Sequence, residues 1–153
     1  MGGKKISGRK RFILVDSQGR LLGVLVLPAH VSEQQGAYQL LAEYLPDFPR
    51  LAKLWADQGY RGELVDWVRS EFGIELEIVS RPAEQKGFVL LHHRWVVERT
   101  FAWLQRSRRL SKDYEYLVTT SAAWIHLAAI QILLKRLAPR RPATSGGPIR
   151  QTG

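Results

Sequence analysis

The chain predicts an α/β fold in which a mixed sheet is flanked by helices. Two apolar, β-branched runs separated by Asp16-Ser17-Gln18-Gly19 carry a hairpin signal. A stretch with helical apolar spacing then leads to a third short apolar run, and a strand, helix, strand order implies a parallel crossover. Beyond it, two longer segments have the period of helices.

Met1 to Arg11 holds five basic residues, three glycines and no acid. Such a segment cannot bury apolar surface by itself, so residues 1–11 are expected to form a flexible basic arm. Arg11 to Val15 and Leu21 to Leu27 are the hairpin strands, the second ended by Pro28, which has no N–H for a ladder. Gln34 to Leu45 is a helix that stops before Pro46, and Lys53 to Ala56 supplies the third strand. Arg61 to Phe72 reads as a helix ended by Gly73, and Ile74 to Val79 as a strand ended by Arg81-Pro82. His92 to Leu110 is an amphipathic helix, whereas Ser121 to Leu137 is apolar on most sides and is expected to be buried against the sheet. Pro139 to Gly153, rich in Pro, Gly and Arg, is read as a disordered tail, which leaves residues 12–138 as one domain.

At 153 residues, with 45% hydrophobic content and five Trp, the chain has enough apolar mass for one core. It has no cysteine, which excludes disulfides and thiolate metal sites and leaves oxygen or imidazole ligands. Carboxylates then favour Mg²⁺ or Mn²⁺. No apolar stretch is read as approaching the roughly 20 residues of a membrane span, and the amino terminus lacks a signal-peptide core, so the expected location is the cytoplasm. The net charge of +9 is unevenly placed: residues 1–86 carry 12 basic and 11 acidic side chains, residues 87–153 carry 11 and 3. A basic carboxyl-terminal half suits a polyanion such as DNA, because each neutralised phosphate releases counterions. A merely solvated basic surface is the alternative.

Two acids stand out. Asp57 follows Leu54-Trp55-Ala56 and precedes Gly59, at the carboxyl end of a strand, where catalytic groups gather in open α/β sheets; it equally suits the cap of the next helix. Glu98 is the lone acid of its helix. At about 100° per residue, Arg94, Ala102, Gln105 and Arg109 fall within roughly 40° of it, while Val96, Thr100, Trp103, Ser107 and Leu110 fall on the far side. A salt-bridged surface glutamate among Arg94, Arg99, Arg106 and Arg109 fits the same pattern. Trp95 lies on the polar side, where it could stack on bases, and Trp103 on the apolar side. His92-His93 has no further ligand at metal spacing and reads as a solvated or DNA-facing pair, and His30 and His126 as structural.

The segments Leu54-Trp55-Ala56-Asp57-Gln58-Gly59-Tyr60-Arg61-Gly62 and Arg94-Trp95-Val96-Val97-Glu98-Arg99-Thr100-Phe101-Ala102-Trp103-Leu104 resemble the second and third acidic blocks of the DDE transposases of bacterial insertion sequences, in the IS-four/IS-five group. The similarity also covers Gly8 to Asp16 and runs to about Leu137. The family's third block carries Tyr, two residues, Arg, three residues, Glu, six residues, Lys. Arg94 and Glu98 match it, whereas Leu91 replaces the Tyr and Gln105 the Lys, with Arg106 adjacent.

The resemblance implies a ribonuclease-H-like fold, Asp57 and Glu98 as catalytic metal ligands for Mg²⁺ or Mn²⁺, and DNA contacts from Arg94, Arg99, Gln105, Arg106, Arg109 and Trp95. In that family the first catalytic Asp ends a strand that precedes the hairpin, and here only the hairpin is present. Asp16 would sit in the hairpin turn, so it is read as turn-forming. The expectation is a partial catalytic domain lacking its first strand and first Asp, inactive alone in strand cleavage. The upstream portion of the transposase, or a second copy in a homodimer, is its expected protein partner. The alternatives are a non-catalytic DNA-binding protein derived from a transposase and a ribonuclease-H-like nuclease or resolvase.

Overall fold

The computed structural model describes residues 8–79, 94–112 and 115–138. Strands β1 (Arg9–Val15) and β2 (Leu21–Pro28) pair antiparallel, with Phe12 opposite Leu25 and Ile13 opposite Val24. β1 begins two residues ahead of the expected Arg11 because its cations find carbonyl acceptors. Lys10 donates to Val31 at 2.9 Å, Arg11 to Leu110 at 3.0 Å, and Arg9 to Tyr116 and Leu117. In the turn, the Asp16 carboxylate accepts from the N–H groups of Gln18 (2.9 Å) and Arg20 (2.8 Å), the local bonding that makes Asp a turn residue.

Helix α1 (Glu33–Tyr44) starts at a capping box, Ser32 accepting from the Gln35 N–H while the Gln35 side chain accepts from Ser32. It lies close on the hairpin: a Cβ at Gly36 would overlap the Phe12 ring. At its far end Tyr44 packs over Gly23 and donates to the Val24 carbonyl at 3.1 Å. After a 3-10 turn at Leu45–Asp47, β3 (Lys53–Asp57) connects through α2 (Glu63–Phe72) to β4 (Glu75–Val79). Gly73 ends α2 with φ of 66°, the left-handed conformation glycine adopts without penalty. β3 and β4 pair parallel, Lys53 opposite Glu75 and Asp57 opposite Val79, and the Lys53 ammonium bridges Glu77 (2.7 Å) and Glu75 (3.2 Å).

The α/β class is observed, but the single mixed sheet is not. The described strands form two two-stranded sheets, β1–β2 and β3–β4. β2 and β3 flank a crossover helix yet do not pair; β1 and β3, not β2, line the cavity between the two sheets.

The hairpin lies between two helical layers. Phe12 and Leu14 face Ala37, Leu40 and Leu41 of α1, in a cluster continuing to Leu54, Leu64, Val68 and Leu76. The other face, with Ile13, Val24 and Val26, meets Leu104, Leu110, Ile125 and Ala128. Burial of such side chains contributes about 1.5–3 kcal/mol each. Helix α3 (Arg94–Gln105) is shorter than its predicted span. A break at Arg106-Ser107 precedes a 3-10 turn at Arg108–Leu110, and His92 and His93 lie outside the described residues, as do residues 1–7 of the expected arm and the expected tail from residue 139.

Helix α4 (Val118–Leu137) corrects two expectations. Among the described residues only one of its faces is covered: Ser121, Ile125 and Ala128 are buried, while Leu127, Ile130, Leu134 and Leu137 are 53%, 50%, 61% and 81% exposed. Its 20 residues are also long and apolar enough, by length and composition, to cross a membrane. The sequence reading missed this because Thr119, Thr120, Ser121, His126 and Gln131 interrupt the run.

Candidate active site

Asp57 and Glu98 line one cavity of about 470 Å³, bounded by β1, β3, α1 and α3. Asp57 ends β3, and its carboxylate accepts from the Gly59 N–H at 3.0 Å, closing a 3-10 turn at Gln58–Tyr60. It therefore combines the end of a strand with a cap, though of this short turn and not of α2, which Gly62 precedes. Glu98 is exposed on the polar side of α3, whose opposite side buries Val96, Thr100 and Leu104. That division agrees with the helical angles, because the buried stripe recurs every four residues.

Two further groups escaped the sequence reading. Glu33, the first residue of α1, lines the same cavity, and its Oε2 and the Asp57 Oδ1 each lie 3.2 Å from where a Gly59 Cβ would stand. Tyr60, another lining residue, has its phenol pushed up to about 12, first by burial and then by the charges of Asp57 and Glu33. The capping box at Ser32 and Gln35 was the available signal. It fixes where α1 begins, and so that Glu33 sits at the helix's amino end.

Hard carboxylate oxygens are the donors that Mg²⁺ and Mn²⁺ prefer, and Mg²⁺ is commonly held by one or two carboxylates with water and phosphate oxygens. In donor type, Asp57 and Glu98 suit one such ion. Among the described residues, however, no group of three or more His, Cys, Asp or Glu side chains stands together. The set does not fit the paired cations of a two-metal centre, which lie about 4 Å apart.

The remaining candidates divide. Gln105, Arg106 and Arg109 are exposed at and just beyond the end of α3, and Arg94 begins that helix. Arg109 also pairs with Glu115 at 3.6 Å and stacks over Trp124 at 5.0 Å. Arg99 is engaged by the fold itself: its guanidinium lies 4.0 Å from the Trp95 ring and 4.4 Å from the Trp103 ring, and donates to the Gln18 carbonyl at 3.2 Å. Arg136 covers Trp103 as well, at 4.5 Å. Trp95 thus already has a cation on its ring, and Trp103, read on the apolar side of the helix, is a half-buried platform between two arginines. His30 and His126, expected to be structural, are exposed.

Comparison with known proteins gives two matches. A family profile described as the transposase DDE domain matches residues 1–133. A protein of Burkholderia cepacia described as "Putative transposase for insertion sequence element IS402" is 31% identical over 132 residues, which are 82% of this chain and 62% of that protein. The chain therefore spans about 62% of the length of the curated relative it matches. No solved structure matches.

Proposed function

Because the chain belongs to the transposase DDE domain family, we propose that it serves DNA transposition as part of an insertion-sequence transposase, with a ribonuclease-H-like domain that lacks its first strand. The carrying observation is that Asp57 and Glu98, distant in sequence and borne by a strand end and a helix, line one cavity. In this reading the two carboxylates hold one Mg²⁺ or Mn²⁺ ion, whose chemistry is to polarise a phosphodiester and activate its attacking oxygen. Asp57 is oriented for that task by the Gly59 N–H, which fixes one carboxylate oxygen. Arg94, Gln105, Arg106 and Arg109 contact the phosphate backbone in this reading, while Arg99 and Trp95 are held by the fold. The protein works in the cytoplasm, where its DNA is.

Calorimetric titration with Mn²⁺ tests the site. Asp57→Asn and Glu98→Gln are each expected to weaken binding at least about tenfold, as loss of one of two charged ligands does. Unchanged affinity in both variants would sink the metal assignment. Strand nicking by the purified chain is expected to be absent or nearly so, since two acids do not hold a cation pair.

A second reading is a DNA-binding protein without catalysis. The observation in its favour is the lack of a three-ligand group among the described residues. It predicts salt-sensitive DNA binding that is indifferent to Mn²⁺ and to both substitutions.

A further inference from the structure

Helix α4 has apolar residues on two opposite sides. At about 100° per residue, Ser121, Ile125 and Ala128 share the side that is buried on the hairpin, while Ala123, Leu127, Ile130, Leu134 and Leu137 share the opposite side and are exposed. The exposed residues recur at alternate steps of four and three, the spacing of a helix-pairing seam. No charge falls among them. By the same angles Lys135 is turned away, and Arg136 is drawn to the Trp103 ring and the Gln18 carbonyl.

Three features point to a second copy of this chain as the cover. Side-chain size is graded along the seam, with Thr120 and Ala123 early and Leu134 and Leu137 late. In an antiparallel pair about a two-fold axis between Leu127 and Ile130, every small residue meets a large one: Ala123 packs on the partner's Leu134 and Thr120 on the partner's Leu137, so the layers are of even thickness. A parallel pair would set large on large at one end and small on small at the other. Charge favours the same direction. Antiparallel pairing lays Lys135 and Arg136 beside the partner's helix where residues 118–134 carry no Lys, Arg, Asp or Glu, and brings each helix's carboxyl end to the other's amino end, where the dipoles attract. A parallel pair would crowd four cations together.

The third feature is area. Leu127, Ile130, Leu134 and Leu137, with Tyr116 and Leu117 just ahead of the helix, expose on the order of 300–600 Å² of apolar surface per copy. A specific interface buries about 800 Å² per partner, somewhat over half of it apolar, or about 450–520 Å². Because α4 is already folded on the hairpin, pairing does not have to order the helix as well.

We propose that α4 is a homodimer interface, through which two copies of the chain pair antiparallel along Ala123, Leu127, Ile130, Leu134 and Leu137. No residue of α4 lines the cavity of Asp57 and Glu98. The pairing therefore leaves both cavities open, and it stands whether or not they hold a metal ion.

Sedimentation equilibrium of the full chain, before and after nuclease treatment, tests it. The expected result is a monomer–dimer equilibrium at micromolar concentrations or below. It is not weakened as salt rises from about 0.1 to 0.5 M, because the seam is apolar and salt screens the repulsion between two chains of net charge +9. Ile130→Glu puts a carboxylate of each copy into an apolar layer and is expected to weaken pairing at least about a hundredfold. Its circular dichroism is expected to match the parent's, since Ile130 is half exposed in the single chain. Ala123→Arg, at an exposed small residue, is expected to have the same effect and serves if Ile130→Glu does not fold. Because the chain has no cysteine, direction is read by disulfide trapping: a mixture of Ala123→Cys and Leu134→Cys chains is expected to form the crossed pair in preference to either like pair. A monomer at every concentration, pairing unmoved by the folded variant, pairing abolished by nuclease or by salt, or a predominance of like pairs would overturn the proposal.

Discussion

Arg99 decides whether a cation on the basic helix serves DNA or the fold. Its guanidinium stacks on Trp95 at 4.0 Å and Trp103 at 4.4 Å and donates to the Gln18 carbonyl at 3.2 Å, tying α3 to the hairpin turn. Each cation–π contact contributes about 0.5–1 kcal/mol at a partly exposed site. A hydrogen bond from a charged group adds about 1.5 kcal/mol at the low end of its range, which suits a half-buried residue. Arg99→Ala is therefore expected to cost about 2.5–3.5 kcal/mol, a drop in Tm of roughly 5–14 °C for a chain of this size. Thermal and urea melts followed by circular dichroism measure it. Arg99→Lys keeps the charge but loses the planar stacking surface, and is expected to recover less than half of the loss. Arg136→Ala perturbs the same Trp103 platform, so the double variant is expected to lose less than the two single losses combined. If Arg99→Ala melted like the parent while its DNA affinity fell, the assignment to the fold would be wrong.

Three other outcomes follow from the geometry. Gly36→Ala places a methyl group into the Phe12 ring, and the repacking is expected to cost about 1–3 kcal/mol, read as a lowered urea midpoint. The Tyr60 phenol, raised to about 12, keeps its proton in the folded chain after the unfolded chain has lost it at the ordinary 10.0. The unfolded state then binds fewer protons, so stability falls as pH rises from 10 towards 12; comparative melts should show this fall reduced in Tyr60→Phe, and ultraviolet titration should show the Tyr60 midpoint lowered in Asp57→Asn. Arg106→Ala is expected to weaken DNA binding across sequences and to reduce the slope of log affinity against log salt by about 0.9, the value of one phosphate contact. An unchanged slope would remove Arg106 from the interface.

The features legible in the sequence are those set by neighbours along the chain. The Asp16 turn, the stop at Gly73, the strand ending at Asp57 and the polar and buried sides of α3 all depend on local spacing. Pairing between strands is not local, and nothing near β3 indicates that its parallel partner is β4 and not the strand before α1. The same limit hid Glu33, which reaches the end of β3 only once α1 folds back along the hairpin. Helical angles placed Arg99 among the basic residues near Glu98, but its carbonyl partner lies 81 positions away. Composition misled at α4: a helix apolar on most sides is expected to be buried against the sheet, yet one face lies on β2 and the other carries an exposed apolar stripe.

The hairpin of residues 9–28 is held by residues about a hundred positions further along. Arg9 reaches the carbonyls of Tyr116 and Leu117, Arg11 that of Leu110, and Val24 and Val26 are covered by Ile125 and Ala128. At roughly 5–20 residues per second, the ribosome needs on the order of 5–20 s to make the hundred or so residues between that apolar face and its cover. Throughout that interval one face of the two-stranded ribbon, with Val24 and Val26, lacks its cover, while α1 can already pack on the other. Chaperones thus have their opportunity before α4 emerges, and a stop codon ahead of Ile125 would make the interval permanent.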